Sequence, residues 1–116
     1  MKSAIVLLFL FTVCGNARAC DIYDSGVVNL GDVTNGYIRD ASTKNLGQVI
    51  NGMVYDMSLR NVGSVTGEDI FDARAGSLGH IANGYVYDLK LRNVGRGTGC
   101  TSVELGAAAL LMSLFN

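Results

Sequence analysis

The sequence predicts an all-β fold, a closed pseudo-five-fold ring of 16-residue β-hairpin repeats with a short C-terminal apolar helix. Three observations predict it. The tripeptide Asn29-Leu30-Gly31 returns as Asn45-Leu46-Gly47, Asn61-Val62-Gly63, Ser77-Leu78-Gly79 and Asn93-Val94-Gly95, each start sixteen residues after the last. Asn-Gly pairs stand at Asn35-Gly36, Asn51-Gly52 and Asn83-Gly84, at one fixed place in the repeat. Cys20 and Cys100 share a repeat position and bracket the array.

Residues 1–19 read as a signal peptide. Met1-Lys2-Ser3 is a short positive start, Ala4 to Cys14 is apolar, and Ala17-Arg18-Ala19 has the small-x-small form read by a signal peptidase. The apolar run is too short to span a bilayer. The expected cut after Ala19 leaves Cys20 first, which also raises lipidation at that cysteine. Arg18, with no leucine before it, argues against lipidation and for simple secretion or periplasmic release. Of nine basic residues Lys2 and Arg18 leave with the signal, so seven remain against ten acidic ones, a net charge of −3. That makes nucleic acid and anionic membrane surfaces poor partners, and no nucleic-acid partner is expected. At 49% hydrophobic and 16% charged, the chain is globular, and 116 residues allow one domain.

Residues 20–100 form the repeat domain. Asn-Gly between short β-prone runs is a strong hairpin signal, because a type I′ turn needs φ > 0 at both central residues. A two-residue loop at Asn35-Gly36 pairs Thr34 with Tyr37, Val33 with Ile38, Asp32 with Arg39 and Gly31 with Asp40. The same register makes Val49/Val54, Val65/Ile70 and Ile81/Val86 apolar pairs, and Asp32/Arg39 an opposite-charge pair. In the third copy Gly67-Glu68-Asp69 replaces Asn-Gly, which predicts a different turn there.

The ends imply closure. Residues 21–28 are the second half of a copy and residues 93–100 the first half of another; with four whole copies between them they make five units of sixteen. The fifth hairpin is split between the two ends, with Cys20 and Cys100 where its turn belongs. An even pair in an exported chain reads as a disulfide. Closure removes the bare strand edges of an open row.

The N-x-G-x-V-x-N-G-x-V-x-D units at a period of sixteen, after a signal peptide and before an apolar tail, resemble the five-fold β-flower proteins, small exported bacterial proteins. The resemblance covers Cys20 to about Cys100 and the character of the tail. It implies a five-fold ring of hairpins and supplies no functional residues. The third turn departs from the pattern.

Residues 101–116 form an apolar helical tail. Thr101-Ser102-Val103-Glu104 fits a capping box, and Gly106 to Phe115 is apolar on every side. Such a helix covers one opening of the ring, attaches to a membrane interface, or self-associates; it is too short to span a bilayer.

Candidate chemistry is sparse. Asp24, Asp40, Asp56, Asp72 and Asp88 repeat, and five carboxylates invite a Ca²⁺ reading. Each also opens a connection, where its side chain can accept a backbone N–H, and that turn role is the expectation. His80 is the lone histidine, facing Tyr87 in the predicted register. G-x-S-x-G, H-E-x-x-H, a phosphate loop and C-x-x-C do not occur, so no catalytic residue, metal ligand or cofactor is expected, and an enzyme is disfavoured.

Tyr23, Tyr55, Phe71 and Tyr87 share one repeat position, while Asp32, Gln48, Ser64, His80 and Arg96 vary at another. Tyrosine beside polar groups suits recognition, so Tyr55, His80, Tyr87 and Arg96 are the candidate binding face. Parity puts Leu30 and its counterparts on the tyrosine face unless Gly31 and its equivalents are bulges. The expected function is a non-enzymatic structural or binding module of the extracytoplasmic space, meeting an unknown protein or envelope component. The alternative is an envelope- or membrane-associated protein acting through its apolar tail.

Overall fold

The computed structural model describes residues 19–116; the signal-peptide reading, Ala19 apart, lies outside the described residues. The described residues form ten strands and one helix: β1 (Cys20–Asp24), β2 (Asn29–Thr34), β3 (Tyr37–Asp40), β4 (Asn45–Ile50), β5 (Met53–Asp56), β6 (Asn61–Thr66), β7 (Asp69–Asp72), β8 (Ser77–Ala82), β9 (Tyr85–Asp88), β10 (Asn93–Thr98) and α1 (Ser102–Leu111). All pairings are antiparallel and follow chain order, and β1 returns to pair with β10, closing the barrel. The split hairpin is real: Ile22 faces Gly97 and Tyr23 faces Arg96 across the closure. Sγ of Cys20 is bonded to Sγ of Cys100 across a separation of 80 residues. Tying a loop of that length contributes on the order of 4 kcal/mol by restricting the unfolded chain.

The hairpin register is as the sequence predicts, from Thr34↔Tyr37 to Gly31↔Asp40 and likewise in the later copies. Asn35, Asn51 and Asn83 have φ of 52–53°, and the glycines after them 81–83°, the positive pair a type I′ turn requires. The third turn keeps the two-residue length but changes type. Gly67 has φ of 63° and Glu68 is not left-handed, the φ pattern of type II′, so Thr66 still faces Asp69.

Between hairpins the register slips by one residue at each β-bulge. Ile38 faces Gly47 while Arg39 faces Asn45, leaving Leu46 as the extra residue. This settles the parity question. The bulge turns Leu30, Leu46, Val62, Leu78 and Val94 toward the core, while the tyrosine band faces outward. At the bulge the chains approach so closely that a Cβ on Gly63 would lie 2.3 Å from the Phe71 carbonyl oxygen. Asn61 Nδ2 seals its bulge by donating to the Val54 and Gly63 carbonyls at 3.2 and 3.0 Å.

The core is a ring of Ile22, Val33, Ile38, Val54, Val65, Ile70, Ile81 and Val86 around α1. The helix does not cover an opening, as the tail's composition suggested; it runs through the lumen and touches every strand. That explains its residues: Leu105 to Ala109 are buried, and a Cβ on Gly106 would stand 2.6 Å from Val65 Cγ2. Leu105 enters where Gly97 replaces the Val or Ile of other copies; a Cβ there would meet Leu105 Cδ1 and Cys100 Sγ at 2.9 Å each. At the far end Leu111, Leu110, Phe115 and Leu114 lie over Gly47, Gly63, Gly79 and Gly95. The capping box forms as expected: Glu104 N–H donates to Thr101 Oγ1 at 3.1 Å and Thr101 N–H to Glu104 Oε1 at 2.8 Å.

Candidate functional site on the outer face

Inward residues are fixed by packing, so variation and chemistry lie outside. Four hairpins put a variable residue opposite the aromatic band, Gln48↔Tyr55, Ser64↔Phe71, His80↔Tyr87 and, across the closure, Arg96↔Tyr23, while in the first Asp32 faces Arg39. The preceding hairpin adds a third member, such as Tyr85 opposite Arg96 and Asp69 opposite His80.

Three of the four expected face residues come together. The His80 and Tyr87 rings stack at 5.3 Å, Tyr87 meets Tyr85 at 6.5 Å, and the Arg96 guanidinium lies 4.9 Å from the Tyr23 ring centre. The patch spans β8, β9, β10 and β1. Tyr55 is not part of it: it sits on β5, four strands from β9, opposite Gln48. Shared repeat position places a residue at one height on the ring, not on one side of it. Tyr23 and Tyr85 replace Tyr55 in the patch, and the signal for Tyr23 was the split-hairpin register, which sets it against Arg96.

The two outward arginines of the sheet differ. Arg39 is held by Asp32 through Nε–Oδ1 at 3.0 Å and Nη2–Oδ2 at 2.9 Å, and the hydrogen bond and charge of Asp32 raise its already high pKa. Arg96 forms no ion pair among the described residues, and its Nε is buried with no hydrogen-bond partner.

The five repeated aspartates are turn devices. Each Oδ1 accepts the backbone N–H groups two and four residues on, at 2.8–3.0 Å, as with Asp72 and the N–H groups of Arg74 and Gly76. Among the described residues, no three His, Cys, Asp or Glu side chains gather as a metal would need. Clefts lie between loops instead; one of about 490 Å³ is lined by Asp56, Arg60, Asn61, Val62, Asp72, Ala73 and Arg74.

Comparison with known families finds a match: the model of the 5-fold beta-flower protein family matches residues 13–113. The chain belongs to the 5-fold beta-flower family. That description names an architecture and no activity, so membership in this β-flower family brings no site residues to the patch. No curated protein and no solved structure matches the chain.

Proposed function

We propose that this β-flower protein is a non-enzymatic binding module of the extracytoplasmic space, and that Tyr23, His80, Tyr85, Tyr87 and Arg96 form its contact surface. The observation that carries the reading is the unpaired Arg96 laid over Tyr23 beside the stacked His80–Tyr87 pair. Tyrosine and arginine lose little conformational freedom when held this way and dominate binding energy at interfaces. The Cys20–Cys100 bond supports an oxidising compartment. The tail-acting alternative would require Leu105 to Ala109 to leave the lumen, where they are buried.

The test is affinity capture from an envelope fraction, then binding of the captured partner to variants with unchanged melting temperature. Tyr87→Ala and Arg96→Ala should each weaken binding by roughly thirtyfold, the scale of a 2 kcal/mol hot spot, while Tyr55→Ala binds as wild type. Full binding by both patch variants, with loss in Tyr55→Ala, would place the contact on another side of the ring.

A further inference from the structure

The hairpins are joined by five loops, at residues 24–28, 40–44, 56–60, 72–76 and 88–92, all at one end of the up-and-down barrel. Their backbones are alike. The aspartate N–H donates to the carbonyl four residues on and its carbonyl accepts the N–H three residues on, while Oδ1 takes two further N–H groups. The fourth residue of every loop has φ of 63–67°: Val27, Thr43, Leu59, Ala75 and Leu91. Glycine adopts this conformation without penalty yet occupies none of the five positions, and β-branched residues suit it poorly. Thr43 and Ala75 stand at two of them, and in the other three loops what stands out is exposed aliphatic surface: Leu91 is 72% exposed, Leu59 69% and Val27 59%, with Val28, Met57 and Leu89 beside them at 59–65%. These side chains stabilise little in the fold and are held rigidly outward.

The same loops carry Lys44, Arg60, Arg74, Lys90 and Arg92, five of the chain's nine basic residues. The cations stand outside the acids. Arg60 and Arg92 side chains are 79% and 70% exposed, whereas their partners Asp56 and Asp88 are 23% and 13% exposed. The opposite end of the barrel, at the hairpin turns and the start of α1, bears Asp21, Glu68, Asp69 and Glu104 and no basic residue. The net negative charge that disfavours an anionic surface for the chain as a whole is thus kept away from these loops.

We propose that the loop end of the ring docks on an anionic lipid surface, with Val27, Val28, Met57, Leu59, Leu89 and Leu91 entering the head-group layer and the five cations meeting lipid phosphates. Aliphatic tips on convex loops with cations beside them match an interfacial membrane surface, which gains from both apolar burial and anionic attraction. A second copy docked end to end would set the same cations against each other. The surface is separate from the Tyr87–Arg96 patch, so the two readings stand or fall independently.

The test is vesicle co-sedimentation with residues 20–116, which contain every strand and helix of the described residues, disulfide intact. Vesicles are equimolar phosphatidylglycerol and phosphatidylcholine, or phosphatidylcholine alone. Wild type should bind the anionic vesicles at least tenfold more tightly, and 0.5 M NaCl should abolish that preference, since screening at such strength shortens the reach of charge to a few ångströms. The triple variant Val27→Asn/Leu59→Asn/Leu91→Asn keeps a residue that tolerates left-handed φ, so its melting temperature should hold while binding falls at least tenfold. Lys44→Gln/Lys90→Gln should weaken anionic binding alone. Failure of wild type to bind, equal binding to both vesicles, full binding by the Asn variant, or a self-association that this variant abolishes would each overturn the proposal.

Discussion

Asp88 shows how one repeated residue can do structural work that resembles chemistry. Its Oδ1 takes the N–H groups of Lys90 and Arg92 at 2.9 and 3.0 Å, and its Oδ2 takes Arg92 Nε at 2.9 Å. The backbone N–H of Arg92 is the largest influence holding the carboxyl below its ordinary 3.8; partial burial opposes it, and the Arg92 side chain and Lys90 N–H assist. Asp56 is lowered in the same sense, first by the Arg60 N–H, again against burial. A folded-state pKa below the unfolded value means that the folded chain binds these protons less readily. The stabilisation is therefore fully present above pH 3.8 and is lost as pH falls through the lower folded values. Melting temperature followed by circular dichroism should be level down to about pH 5 and decline below pH 4. In Asp56→Asn/Asp88→Asn that decline should be shallower and start from a lower melting temperature at pH 7. An unchanged acid limb would show that these turns do not depend on the charged form. The turn role was legible in the sequence, because aspartate opened every connection. The left-handed Val27 and Leu91 were not, because neither residue type signals positive φ.

The helix is the element whose role composition alone left open. Ala107-Ala108-Ala109 is apolar on all sides, which fits a membrane, a partner or a core equally well. What decided among them is space: ten strands enclose a lumen in which only small side chains pass Val65 and Ile81. The sequence carried a trace of this in Gly97, the one copy without Val or Ile at its position, which admits Leu105. Reading that exception required knowing that the barrel is filled by its own tail. The bulges were similarly half-visible, since glycine after Leu or Val could equally mark a turn. Because the helix supplies the centre of the core, deleting residues 106–116 should lower the melting temperature sharply and expose dye-binding apolar surface. Overfilling is the complementary probe: Ala108→Leu should cost about 1–3 kcal/mol in chemical denaturation, the usual penalty for forcing volume into a packed core. A tail deletion that melts like the full chain would mean that the ring is filled by something else.

For the whole molecule, sequence symmetry gave the ring and its closure, while the breaks in symmetry locate what is individual to this chain. Repeat phase alone split the fifth hairpin between residues 21–28 and 93–100, and the β1–β10 pairing follows. The same phase could not say which side of the ring a residue occupies until strand order was combined with it, which is why Tyr55 seemed a neighbour of Tyr87. The molecule has three distinct exteriors. An acidic end carries the turns and the disulfide, a side patch runs from His80 to Tyr23, and an opposite end bears aliphatic and basic loops. All three are held at fixed distances by the closed sheet and the helix inside it. The tail threads this ring, and isotope-edited nuclear Overhauser spectra of residues 20–116 can trace its path. Threading predicts contacts from Leu105 to Gly97 near the disulfide, together with Leu111 to Gly47 and Phe115 to Gly79 near the loops. Contacts confined to one end, or to neighbouring strands alone, would contradict it and return the helix to the outside of the ring.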